Sequence, residues 1–258
     1  MNIKDDIIIA FLNDNKIDCE FYDQIIEGKH LFQEPDYKRK EVVVELNKQI
    51  HEMMHSFSIF NSALFQQLFP NYDTLLADIT LMLVVGLQPP YDAFKTSIDQ
   101  KDTLIIDLHQ IANQTHEVDK MMYIIKNFIT QEIVKMGIEQ DYKAKDALCY
   151  EDKMAYLVFK EGLIHYLSWG DNIQTYQLYS EKYEEKRGLN FMKLSQALEI
   201  KEPYFQTKLL TMAIHGEFWD RFAIVSGMFL WDILYQEQGI PGILDAYQKG
   251  WDTFIPNE

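Results

Sequence analysis

Apolar residues along this chain recur at three- and four-residue intervals over most of its length, the spacing that lines one face of an α-helix. Val43, Leu46, Ile50, Met53, Met54, Phe57 and Phe60 form such a stripe and predict a helix over roughly 41–60. Pro70 closes the next segment, and Asn71 offers an N-cap for a helix over 73–85 that Gly86 and the Pro89-Pro90 pair terminate. Further helices are predicted near 102–113 and 116–136, with Gly137 ending the second. A charged stretch from Glu139 to Asp152 leads into an almost wholly apolar helix over about 152–169, stopped by Gly170 and expected to be central. The charge-dense segment Glu181 to Arg187 reads as a solvated helix face. A last apolar helix is predicted over about 217–238, with Gly227 where two backbones can approach closely.

Strand alternation is scarce. The stretches 30–33 and 41–46 are the candidates, and the second competes with the first helix. No internal repeat, low-complexity tract or linker-like run divides the chain, so a single domain spanning 1–258 is expected: mainly α, with room for a small peripheral sheet.

Composition narrows the function classes. The 258 residues are 47% hydrophobic and 25% charged, enough to build a core, and the net charge of −16 repels nucleic-acid phosphates and anionic lipid head groups. Neither nucleic acid nor membrane is therefore expected as a partner, and the sequence does not fix an oligomeric state. The longest apolar run, Ile79 to Leu87, is about half of the ~20 residues a bilayer requires. Cys19 and Cys149 are too few for a disulfide framework and lack metal-binding spacing. The run Ile7 to Leu12 is short, follows two acids and precedes no small-residue cleavage site, so a cytoplasmic location is expected unless a leader has been removed.

One constellation carries chemistry. Residues 51–55 read His-Glu-Met-Met-His, and on a helix His51 and His55 lie about 40° apart around the axis, where both imidazoles can hold one metal ion. Glu52 projects to the side, placed to reach a metal-activated water. With seven histidines and nineteen glutamates, the chain is expected to produce about 0.014 such matches by accident. The plainer alternative is a pair of histidines flanking an amphipathic helix and hydrogen-bonding nearby.

A catalytic zinc usually has three protein ligands, and the apolar helix nominates a third. The stripe Met154, Leu157, Val158, Glu161, His165, Ser168 puts Glu161 and His165 where apolar residues belong. A carboxylate there needs a partner, either a metal ion or a cation such as Arg221 or a lysine. His165 has three readings: a residue orienting a ligand, an alternative ligand, or a packed core histidine. His215, Tyr166 and Tyr156 are candidate donors to an oxyanion, with ordinary packed or surface roles as the alternative.

His51-Glu52-Met53-Met54-His55, taken with Glu161-Gly162-Leu163-Ile164-His165-Tyr166, resembles the gluzincin zinc metallopeptidases, whose third ligand is a glutamate on a downstream helix. Aminopeptidase-like members begin that helix with Glu-Gly-Phe or Glu-Gly-Leu, and the nearest likeness is to uncharacterised bacterial zinc-dependent peptidases. The resemblance covers these two helices and, loosely, the helix containing Gly227. It implies a zincin-like helical fold, zinc on His51, His55 and Glu161, Glu52 as general base, and a peptide or protein substrate. Many gluzincins carry an acid four residues after the ligand glutamate, where this chain has His165. Metzincins would need glycine at 58 and histidine at 61, and Ser58 and Asn61 exclude that branch. The Gly-x-Met-Glu-Asn motif of aminopeptidases is missing, which weakens an exopeptidase assignment.

Two other classes compete. Glu52-Met-Met-His55 also contains the Glu-x-x-His element of di-iron oxidoreductases built in helical bundles, but no second copy occurs, since Glu161 and His165 stand one residue too far apart. A non-catalytic interaction protein with a structural metal would need ligands but no general base, and the chain retains Glu52.

Overall fold

A computed structural model describes residues 1–26 and 29–256. In chain order its elements are β1 (Asn2–Lys4), α1 (Asp6–Leu12), α2 (Glu20–Ile25), α3 (Lys40–His55), α4 (Ser62–Leu68), α5 (Tyr72–Asp78), β2 (Thr80–Val84), β3 (Ala93–Ile98), β4 (Lys101–Asp107), α6 (Leu108–Gln114), α7 (Val118–Asp141), α8 (Tyr150–Ser168), α9 (Glu184–Leu198), α10 (Pro203–Met212) and α11 (Phe222–Lys249). The fold is mainly α, 64% helical, with one small four-stranded sheet. Two compact units are distinguished: Met1–Ile59 with Asn71–Glu132, and Phe60–Pro70 with Ile133–Glu258.

The first unit is organised by the sheet, in the order β1-β2-β4-β3. β1 and β4 flank β2 in parallel, while β3 and β4 form an antiparallel hairpin turned by Asp99 and Gln100, both with positive φ, as a two-residue type I′ turn requires. Leu81, Leu83 and Val84 of β2 and Leu104, Ile105 and Ile106 of β4 are fully buried. Strands buried on both faces read as continuous apolar runs, and such a run is indistinguishable by period from a buried helix segment. Both helix expectations here are corrected for that reason. The predicted helix over 73–85 is α5 followed by β2, and that over 102–113 is β4 followed by α6.

α3 packs Val43, Leu46 and Ile50 into the core of this unit, which settles 41–46 as helix rather than strand. It ends at His55, five residues before the expected end, with the Ser56 N–H closing the last turn on the Met53 carbonyl. The 30–33 stretch contributes a single isolated bridge, Phe32 to Leu87.

The second unit is built on α8 and α11, which cross at two glycines. A Cβ on Gly162 would lie 2.5 Å from the Gly227 Cα, and one on Gly227 would lie 1.9 Å from the Val158 carbonyl oxygen. The Trp231 indole, fully buried, donates to the Phe159 carbonyl at 3.1 Å across the same crossing. Gly137 does not end a helix as expected but lies inside α7, where a Cβ would meet the Phe69 ring at 2.7 Å. α11 runs past its expected end to Lys249, interrupted at Gly239 (φ 65°, ψ −158°) and Pro241.

Asn61 joins the segment 60–70 to the rest of this unit. Its amide donates to the carbonyls of Leu167 (2.8 Å) and Gly170 (3.0 Å), and its Oδ1 accepts from the Ile173 N–H at 2.7 Å. The backbone at Asn61 is left-handed, with φ 52°, a conformation asparagine tolerates better than most residues.

Candidate functional site

The histidine motif occupies the last turn and a half of α3, in the first unit. Because Val43, Leu46 and Ile50 bind the opposite face to the core, the face carrying the motif is turned outward. The His51 side chain is 42% exposed and its Nε2 lies 3.0 Å from Oδ2 of Asp5, at the start of α1. Asp5 is more sheltered and also accepts from the Asn47 amide at 3.2 Å. Glu52 is 64% exposed, with one oxygen 3.8 Å from the Lys48 ammonium a turn earlier. His55 is exposed and ends the helix. The helix thus brings His51 and His55 to one side at the expected spacing, while Asp5, at the start of α1, meets His51 through a tertiary contact that no spacing within the motif discloses.

Glu161 lies on α8, in the second unit. Its side chain is 21% exposed, and its Oε1 is 3.7 Å from the Lys160 ammonium, which also holds Glu139 at 2.7 Å. Lys160 itself is buried, so the two acids neutralise a cation that would be costly alone. The glycine following Glu161 has an evident packing duty at the crossing with α11.

The remaining candidates have separate surroundings within the second unit. His165 packs edge-on against Phe218, with ring centroids 5.6 Å apart. Burial, followed by the Arg221 charge, pushes its pKa down to about 4, so the ring is neutral at pH 7. Tyr166 is fully buried, its ring against Tyr176 and its hydroxyl beside the Asp232 carboxylate. Burial raises both acids, Asp232 despite the lowering influence of Gln236, Tyr166 and Arg187. Tyr156 is also buried, with a pKa raised to about 12, chiefly by burial and then by Glu139. His215 is exposed and lines an open groove beside α10. Among the described residues no three His, Cys, Asp or Glu side chains converge as a metal-holding group.

One functional-looking residue escaped the sequence reading. Asp107, fully buried in the first unit, ends β4 and caps α6, accepting from the N–H groups of Gln110 (2.8 Å) and Leu87 (2.6 Å). Burial outweighs those donors and raises its pKa to about 7. An Asp before a short apolar run is a common N-cap signal, but its placement between two strand ends is a tertiary fact.

Compared with protein-family models, curated proteins and solved structures, the chain finds no significant match. No helix among the described residues is long and apolar enough to cross a membrane.

Proposed function

We propose that this chain is a zinc-dependent peptidase in which His51 and His55 bind the metal and Glu52 is the general base. One observation carries this: the His-Glu-x-x-His motif lies in continuous helix, with an aspartate carboxylate at hydrogen-bonding distance from one of its imidazoles. Metal-ligating histidines characteristically share their second ring nitrogen with a carboxylate or carbonyl, which fixes tautomer and ring orientation. The third ligand, Glu161, rests on the sequence alone.

Bound zinc would supply a water acidified toward pH ~7 and polarisation of the scissile carbonyl. The chain's residues do the rest. Glu52, unencumbered except for Lys48 across 3.8 Å of solvent-exposed surface, takes a proton from the attacking water and delivers it to the departing amine. Asp5 holds the His51 ring by its Nε2–H, leaving the Nδ1 lone pair as donor.

Metal content of the purified full chain tests this. One zinc per chain, lost in His51→Ala and in His55→Ala, with peptide hydrolysis abolished but zinc retained in Glu52→Gln, is the expected result. A chain that takes up no zinc when it is supplied, or one whose zinc is indifferent to both histidine substitutions, overturns it.

A further inference from the structure

The sheet of the first unit has two edges, and they differ. β1 ends it on one side with three residues, whereas β3 presents six, Ala93–Ile98, on the other. β3 pairs with β4 in the register Ile98↔Lys101, Thr96↔Thr103 and Phe94↔Ile105. The two-residue turn after Ile98 and the Asp107 N–H, donated to the Asp92 carbonyl at 2.8 Å, fix the phase of that ladder. Even-numbered residues direct their backbone groups to β4, so Lys95 and Ser97 turn theirs outward. Among the described residues, the backbone N–H and C=O of Lys95 and Ser97 have no hydrogen-bond partner. The Ala93 N–H, by contrast, is taken by the Asp92 side chain at 2.8 Å.

A row of open donors and acceptors is a template for another strand, and folded proteins usually blunt it with a proline, a bulge or a protruding lysine. β3 has no proline and no bulge, since its six residues pair one-to-one with β4. Its lysine is drawn inward, with the Lys95 ammonium held 3.0 Å from Asp102 on β4. The outward backbone groups are therefore left unguarded, beside half-buried Phe94, Thr96 and Ile98.

We propose that two copies of the chain join β3 to β3, antiparallel, so that a two-fold axis at Thr96 doubles the four-stranded sheet. The strand's own residues select this occupant and this register. Antiparallel pairing must set outward-facing residues opposite one another, which permits an axis at Lys95, Thr96 or Ser97. An axis at Lys95 puts like charges face to face. One at Ser97 draws Asp99 into the ladder, but Asp99 has φ 52° and belongs to the turn. The axis at Thr96 uses strand residues throughout. Lys95 and Ser97 exchange N–H···O bonds with Ser97 and Lys95 of the second copy, four bonds in all, and Thr96 meets its own counterpart. Phe94 then lies opposite Ile98 on both sides of the axis, an aromatic against a β-branched side chain.

Sedimentation velocity of the full chain over roughly 5–500 µM reads the association. One strand pair is small beside the roughly 1,200 Å² of lasting interfaces, so dimer is expected only toward the upper end of that range. Ser97→Pro removes an outward N–H from each copy, two of the four new bonds, and spares the β4 ladder, because proline is tolerated where a strand's N–H faces solvent. It should weaken dimerisation at least about tenfold at an unchanged melting temperature. In a Cys19→Ser, Cys149→Ser background, Thr96→Cys should oxidise to a covalent dimer, since opposed residues outside the hydrogen-bonded pairs bring their Cβ atoms within disulfide reach. Lys101→Cys, away from the axis, should not. The cross-link keeps the test decisive if Ser97→Pro lowers the melting temperature. A chain monomeric at every concentration, a dimer indifferent to Ser97→Pro, or cross-linking of Lys101→Cys in place of Thr96→Cys would each overturn the proposal.

Discussion

Replacing Gly227 with alanine is the sharpest test of how the second unit is held together. The added Cβ would stand 1.9 Å from the Val158 carbonyl oxygen and 2.8 Å from the Gly162 Cα. Ordinary contacts lie at about 3.5–4.0 Å, so the two helices must separate by more than about 1 Å. Nothing along this line is a flexible side chain; the clash is backbone against backbone. Overpacking a core typically costs about 1–3 kcal/mol, and a site with no rotamer to yield belongs at the upper end. Alanine returns about 0.5–1 kcal/mol of helix propensity, leaving a net loss of roughly 2 kcal/mol or more.

The matched control is Gly188, inside α9, where an added Cβ meets nothing within 4 Å. There the same substitution should gain about 0.5–1 kcal/mol, because only the propensity term survives. Thermal unfolding followed by circular dichroism reads both. At about 2–4 °C per kcal/mol for a chain of this size, Gly227→Ala should melt about 4–8 °C lower and Gly188→Ala about 1–4 °C higher. If Gly227→Ala melts with the wild type, the close crossing of α8 and α11 is wrong, and with it the explanation of why glycine follows Glu161.

Other outcomes follow from the same geometry. Asn61→Ala should cost about 3 kcal/mol in urea unfolding, since it strips the Ile173 N–H of its acceptor and two carbonyls of a donor; a loss under about 1 kcal/mol would contradict this hydrogen-bonding role. Asp107 has a pKa raised to about 7 in the folded chain, so the native state keeps a proton that the unfolded state releases near pH 4. Its contribution therefore declines as pH rises from about 4 to 7, and the wild type's lead over Asp107→Asn should narrow across that window, measured as urea midpoints at successive pH values. A lead that widens instead would mean the backbone donors, not burial, dominate. Asp232→Asn should likewise lose least relative to wild type at the higher pH, because burial raises this carboxyl too.

The long helices were legible because their apolar stripes are long. α3, α7, α8 and the first part of α11 each bury several residues at helical spacing, and no competing period fits. The sheet was not legible, for a local reason. Ile79 to Val85 and Leu104 to Ile106 are apolar on both faces, so the two-residue alternation that identifies a strand is absent from the very strands that matter most. β3, half-buried at the edge, is too polar to stand out from a loop. α10 was invisible for the opposite reason: it packs no buried face, so no inward stripe was there to read. Gly227 was read correctly as a close approach, whereas Gly137 looked identical in sequence to a helix stop. Only the Phe69 ring against it distinguishes the two.

The candidate site divides along the same line. That His51 and His55 share a side follows from the helix and needs no tertiary information, but what faces them does. Asp5 reaches His51 because α1 packs on α3, which no spacing rule within 51–55 could disclose. The contact also constrains the chemistry, since a ring nitrogen that donates its proton to a carboxylate has no lone pair for a cation. With Nε2–H committed to Asp5, Nδ1 is the nitrogen that would face the proposed metal, and Asp5 is what fixes the ring's orientation. Asp5→Ala should then weaken zinc binding about 10–100-fold, read by competition with a chromogenic chelator, while leaving α3 intact by circular dichroism. An unchanged or tighter zinc affinity would mean that Asp5 competes for His51 rather than orienting it, and that Nε2 is the nitrogen the metal uses.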